Sequence, residues 1–152
     1  MKNLNNPADL TEILTRLNRL RPDSPRQWGK MTPHQMLCHL SDAYQVAMGE
    51  RAEAAADNFF SRTVMKYVAL QLPLRWPPGV KTGAVSDQER GGTPPVEFEP
   101  DRQRLEQLIR RFTAAQRDFQ FAPHPLFGVM SEAEWLRWGY LHAAHHFRQF
   151  GN

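Results

Sequence analysis

Six histidines occur in 152 residues, and three of them, His142, His145 and His146, fall within five consecutive positions. Imidazole is the commonest protein ligand for divalent transition metals, so the first matter is which rings can face one point. A helix turns about 100° per residue. His142 and His146, four apart, therefore lie within about 40° of one another and one turn apart, a spacing that lets two imidazoles converge on one ion. His145 points about 100° away from His146. Trp135, Trp138 and Gly139 mark the inward side of the same helix. Counted from Trp135, His142 and His146 fall within about 20° of that direction and His145 about 80° from it. His142 and His146 are expected to be buried, and His145 to sit towards the boundary.

Two ligands hold a metal weakly, so a third must come from another element. His39 follows Met36 by three positions and precedes Ala43 by four, within the apolar stripe of an earlier helix. His34 is about 140° round that helix, in its first turn. His39 is thus the ring that can meet His142 and His146 across a helical core, which is how bundles commonly build metal sites. A second reading stays open: buried histidines are also ordinary hydrogen-bonded core residues, each nitrogen needing a partner. Positions 143 and 144 are both alanine, so the H-E-x-x-H motif of zincin proteases is absent.

The elements that must carry these residues are legible as helical periods. Leu10, Ile13, Leu14 and Leu17 recur at three and four residues and predict a helix from about Pro7 to Leu20, stopped by Pro22, Asp23 and Pro25. Thr32, Pro33 and Gln35 form a capping box with a proline at the first helical position. Met36, His39, Leu40, Ala43 and Ala47 then line one side up to Gly49. A less regular helix is expected over about Asn58 to Leu72. Residues 73–99 hold five prolines and four glycines, which predicts no helix there. A connection that long is either mobile or a lid, with Trp76 and Lys81 as covering residues. Leu105, Leu108, Ile109 and Phe112 give the next helix, from about Pro100. A turn-rich passage from Phe119 to Met130 follows, and a second capping box, Ser131 with Glu134, opens the last helix, to about Gln149. Nothing alternates as a strand for long. The prediction is one all-α domain over residues 1–152.

Composition narrows the functional class. Apolar residues make up 41% and charged residues 23%, values that suit a folded globular protein. The formal net charge is +3, but the basic residues are spread along the chain rather than clustered with stacking aromatics, which argues against nucleic-acid binding. The single Cys38 excludes an internal disulfide and any multi-cysteine metal site. Residues 1–21 lack the apolar core of a secretion signal. No stretch approaches the roughly 20 apolar residues of a membrane span. A cytoplasmic location is the expectation.

The run from Trp28 to Asp42 (Trp-Gly-Lys-Met-Thr-Pro-His-Gln-Met-Leu-Cys-His-Leu-Ser-Asp) and the ending from His124 to Trp135 and from His142 to Gly151 resemble the DinB-like (DinB/YfiT) superfamily, in particular its uncharacterised DUF1569 branch. The resemblance spans about Leu4 to Gly151 and is weakest over residues 50–99. It implies an up-down four-helix bundle with a longer crossover, here with an extra short helix and the Pro/Gly-rich connection, often as a homodimer. It implies metal ligands at His39, His142 and His146, the same three that helical geometry selects. Whether His145 replaces His146 stays open.

Three neutral imidazoles suit Zn²⁺, Ni²⁺ or Fe²⁺ and leave the ion's charge uncancelled, with a position open to water or substrate. Relatives in the superfamily include metal-dependent transferases and isomerases that use low-molecular-weight thiols. The resemblance therefore implies a small-molecule thiol as substrate and a thiol S-transferase-like enzyme. The rival expectation is a non-enzymatic metal-binding or stress-response bundle. Hydrolysis by metal-bound hydroxide lacks a visible acid–base partner beyond Asp42. Asp42 and Gln149, each about one turn from a ligand, are candidates to orient ligands by hydrogen bonds, although a helix-surface acid is the plainer reading of Asp42. Cys38 reads as a packing residue, and Trp135 and Trp138 as core.

Overall fold

Each of three long helices starts where the sequence supplies a cap. In the computed structural model, which describes residues 1–79 and 83–152, Asn6 accepts from the Ala8 amide at 2.9 Å and opens α1, Pro7–Arg19. Thr32 accepts from the Gln35 amide while the Gln35 side chain accepts from the Thr32 amide, and α2 runs Pro33–Ala47. Ser131 and Glu134 repeat that reciprocal pair to open α5, Glu132–Arg148. These bonds satisfy amides that the first turn of a helix leaves without partners.

Two helices depart from expectation. The segment expected as one helix over about Asn58 to Leu72 is a π-helical turn, Ser61–Met65, running into the short α3, Lys66–Gln71. It leaves Phe59 (83% exposed), Phe60, Val64 and Tyr67 outward. α4, Phe98–Phe112, begins two residues before Pro100 and has no side-chain cap. Within residues 73–99, expected to hold no helix, a 3-10 turn spans Ala84–Ser86. Lys81, expected as a covering residue, lies outside the described residues.

The described residues hold these five helices and no strands; the turn-rich passage contributes one isolated bridge, His124 to Gly128. None of the helices is long and apolar enough to cross a membrane. α1 packs on α4 and α5, α2 on the same two, and α3 on α5 alone. Ile13, Leu17, Leu40, Leu105, Ile109, Phe112, Trp135 and Phe147 are all wholly or almost wholly enclosed between them. Each such side chain contributes roughly 1.5–3 kcal/mol by leaving water. α2 is not the one-sided helix its period suggested. From Met36 to Tyr44 every residue is buried, because α4 and α5 cover two sides and the Ala84–Ser86 turn covers a third.

The α2–α5 crossing needs a residue without a side chain. Tyr44 donates to the Gly139 carbonyl at 2.9 Å, and a Cβ on Gly139 would stand 2.9 Å from Leu4 Cδ1 and 3.0 Å from Phe112 Cε1. Gly139→Val should therefore cost about 1–3 kcal/mol through overpacking, read as a lower urea midpoint with the helical circular dichroism retained at zero denaturant.

Candidate metal centre

α2 and α5 bring His39, His142 and His146 together: one nitrogen from each lies within 4.8 Å of the other two. His39 Nε2 and His142 Nε2 are 3.2 Å apart. Two nitrogens bound to one zinc at about 2.0–2.1 Å with tetrahedral angles would be about 3.4 Å apart, so the pair already stands at ligand spacing. The ring centroids are 5.2 Å apart for His39–His142, 4.5 Å for His39–His146 and 4.9 Å for His142–His146.

Proton placement follows from the outer partners. His39 Nδ1 sits 2.7 Å from the Ser86 carbonyl; a carbonyl only accepts, so Nδ1 carries the hydrogen and Nε2 keeps its lone pair. His146 Nδ1 sits 3.2 Å from Gln149 Oε1, which fixes the same tautomer there. His142 has one proton for two nitrogens, and its buried Nδ1 has no partner among the described residues. With its proton on Nδ1, His142 keeps an Nε2 lone pair, so three lone pairs can be turned towards one point. A divalent cation fits this donor set.

Burial keeps the cluster neutral. His39 is 4% exposed and His146 8%. His142 is only half-buried, less than expected, and the Trp76 ring lies 6.1 Å from it. Burial is the first cause that lowers the pKa of all three below the usual imidazole value, with the neighbouring histidines adding to it for His142 and His146. His145 is also half-buried and does not share the convergence point; it packs between Trp28, at 5.9 Å, and Trp76, at 6.4 Å.

Asp42 is no surface acid. It is fully buried because the connection after α3 folds back over α2. It accepts from Arg51 (2.6 Å), Gln88 (3.0 Å), the Thr93 amide (2.8 Å) and the Thr93 hydroxyl (2.6 Å). It touches no histidine. Its effect on His39 runs through residues 84–93, which it pins so that the Ser86 carbonyl reaches Nδ1. Gln149 does contact a candidate ligand directly, and its amide also donates to the Trp28 carbonyl at 2.9 Å. Gly29 (φ +79°) allows that approach, since a Cβ there would meet Gln149 Nε2 at 2.5 Å.

The other conspicuous side chains take structural roles. Cys38 lies on another side of α2, 3.6 Å from Asp101, and burial pushes its thiol up to about 12. It forms with His34 and Asp101 a second ligand-type group, but there the carboxylate already accepts from His34, the Val96 amide and the thiol. His124, which sequence reasoning left without a role, accepts from the Leu126 and Phe127 amides. Trp135 and Trp138 are core.

Two expected outcomes follow. Asp42→Ala should lose about 2–4 kcal/mol of stability by orphaning donors around a buried carboxylate, measured by urea unfolding. The buried histidines set a pH dependence. His39, His142 and His146 are lowered by burial and His124 is lowered to about 4. The unfolded chain therefore binds more protons once the pH drops below about 6.5. Stability of the metal-free protein should be complete above that pH and fall towards pH 4, by up to about 1.4 kcal/mol per pH unit for each such histidine. A urea midpoint that is flat from pH 7.5 to 5 would contradict this.

No curated protein and no solved structure matches the chain. A family model described as a protein of unknown function, DUF1569, matches residues 2–152. From its second residue to its last, the chain belongs to the DUF1569 family.

Proposed function

We propose that this DUF1569 protein holds one divalent cation, Zn²⁺, Ni²⁺ or Fe²⁺, through His39, His142 and His146, and that it is a metal-dependent transferase using a low-molecular-weight thiol. The observation that carries the reading is the fixed tautomer of His39 and His146. Both give Nδ1–H to an oxygen, which leaves Nε2 for an ion, the outer arrangement usual for metal-ligating histidines. A cation held by three neutral imidazoles keeps its full charge, and so deprotonates a coordinated thiol at neutral pH.

The chain's own groups favour an external thiol over hydrolysis. Asp42, the acid nearest in sequence to a ligand, is consumed by four hydrogen bonds and has no capacity left for a water. Cys38 is a buried thiol held protonated on a different side of α2. The reading includes membership of the DinB-like superfamily, with α1, α2, α4 and α5 as its four-helix bundle, and a cytoplasmic homodimer. The outward Phe59, Phe60 and Tyr67 supply an apolar face for a second copy.

A non-enzymatic reading is favoured by one feature: the three rings join α2, α5 and, through Ser86, the long connection, so an ion there would staple the fold. Elemental analysis of protein purified without a nickel column decides the shared part. One metal per chain is expected, lost in His142→Ala and His39→Ala. Gln149→Ala should weaken binding about 10–100-fold. Stoichiometric metal retained in His142→Ala would undo the ligand assignment. Turnover of an electrophile with glutathione, bacillithiol or mycothiol, absent in His39→Ala with circular dichroism unchanged, separates enzyme from binding module. No turnover with any thiol leaves only the latter.

A further inference from the structure

Beside the histidines lies a pocket of about 660 Å³, open to solvent, whose walls include Trp28, Arg75, Trp76, Arg148 and Asn152. That volume is in the range of small-molecule sites. It adjoins the candidate metal centre through Trp76, whose ring centroid is 6.1 Å from that of His142, while Trp28 and Trp76 both flank His145, at 5.9 and 6.4 Å. Trp28 is also tied to the centre by the Gln149 amide, which bonds its carbonyl on one side and His146 on the other.

The charge in this cavity is unbalanced. Seven arginines, at positions 16, 51, 62, 102, 110, 111 and 117, are paired with carboxylates. Among the described residues Arg75 and Arg148, like Arg19, Arg21, Arg26, Arg90, Arg104 and Arg137, form no ion pair; these two line the cavity, and no Asp or Glu side chain does. The Asn152 backbone oxygen in the same wall is taken by Arg16 at 2.6 Å. Burial, with the like charges of Arg16 and Arg75, works against the Arg148 cation. Arg75 is exposed and Arg148 half-buried, and an anion lying between them could accept from both forks.

We propose that this cavity seats a carboxylate of the small-molecule substrate on Arg75 and Arg148, with Trp28 and Trp76 flanking its apolar part. The inference rests on the thiol-transferase reading for the identity of that substrate: a thiol that carries at least one carboxylate. Arg75 and Arg148 then select among thiols, and the three histidines serve the sulfur end. The alternative role for Arg148 is confined to the C-terminal turn of α5, where a cation faces the helix dipole and binds nothing.

Calorimetric titration of the metal-loaded full chain separates the two ends. S-methylglutathione presents carboxylates with a blocked sulfur; cysteamine presents a thiol with no carboxylate. Arg75→Gln and Arg148→Gln should each weaken S-methylglutathione at least tenfold and leave cysteamine unchanged, whereas His39→Ala should abolish cysteamine binding and spare S-methylglutathione. Arg75 is exposed, so Arg75→Gln is expected to keep the fold, checked by circular dichroism. Equal affinity of wild type and both arginine variants for S-methylglutathione, no binding of it by wild type, or binding of inorganic phosphate in its place would overturn the subsite. Arginine-dependent binding of S-methylglutathione with no cysteamine binding would uphold the subsite and sink the thiol-at-metal reading instead.

Discussion

A carboxylate taken fully out of water is costly unless every lone pair is met, and Asp42 meets that condition with donors that all come from outside its own helix. Arg51, Gln88 and Thr93 converge on it from positions 9 to 51 residues away. Arg51 in turn gives its second nitrogen to the Val85 and Gly91 carbonyls, at 2.9 and 3.0 Å. A segment rich in proline and glycine thereby acquires one place against α2. The Ser86 carbonyl lands on His39 Nδ1 as a consequence. The direction of the His39 lone pair is thus set by an acid one turn along the same helix that never touches the ring.

The other half of the cluster needs no such device. His142 and His146 are placed by α5 itself, whose register is held by the Ser131–Glu134 box at one end and the Gly139 crossing in the middle. Only the ring angles are left free. Gln149 sets one of them from one turn beyond His146, and the Trp28 carbonyl holds Gln149 in place. The two arms of the site therefore differ in rigidity. The α5 arm depends on local helical geometry, and the α2 arm on long-range hydrogen bonds. Conditions that loosen residues 84–93 should disturb His39 before the α5 pair.

That difference also explains what the sequence could disclose. Periodicity and caps belong to residues within four positions of one another, so α1, α2 and α5 were legible to within a residue or so, as was the inward direction of His39, His142 and His146. The convergence of the three into one group was a geometric extension of the same reasoning. Asp42 was not legible, because its donors lie in a connection with no period to read, and a lone acid on a helix is ordinarily solvated. The Ala84–Ser86 turn was missed for the same reason. The π-helical turn before α3 was missed because a single extra residue per turn leaves no compositional mark. His142 is more open than its helical angle implied, since what covers it is Trp76, and that ring's position is decided by chain geometry after Pro73 rather than by α5.

The partial opening of His142 bears on what the site can do. A structural metal site is closed by four protein ligands; here three nitrogens converge, and the half-buried His142 packs beside Trp76, a wall of the pocket that holds Arg75 and Arg148. Three polar groups near the cluster are spoken for: Ser86 by His39, Gln149 by His146 and Trp28, Asp42 by its four hydrogen bonds. Cys38 is buried at the α2–α4 contact with its proton held, and His145, whose Nδ1 has no partner among the described residues, packs against His146 without sharing the convergence point. On the proposed reading the reactive group arrives with a small molecule, from the side where Trp76 meets both His142 and the pocket that holds Arg75 and Arg148.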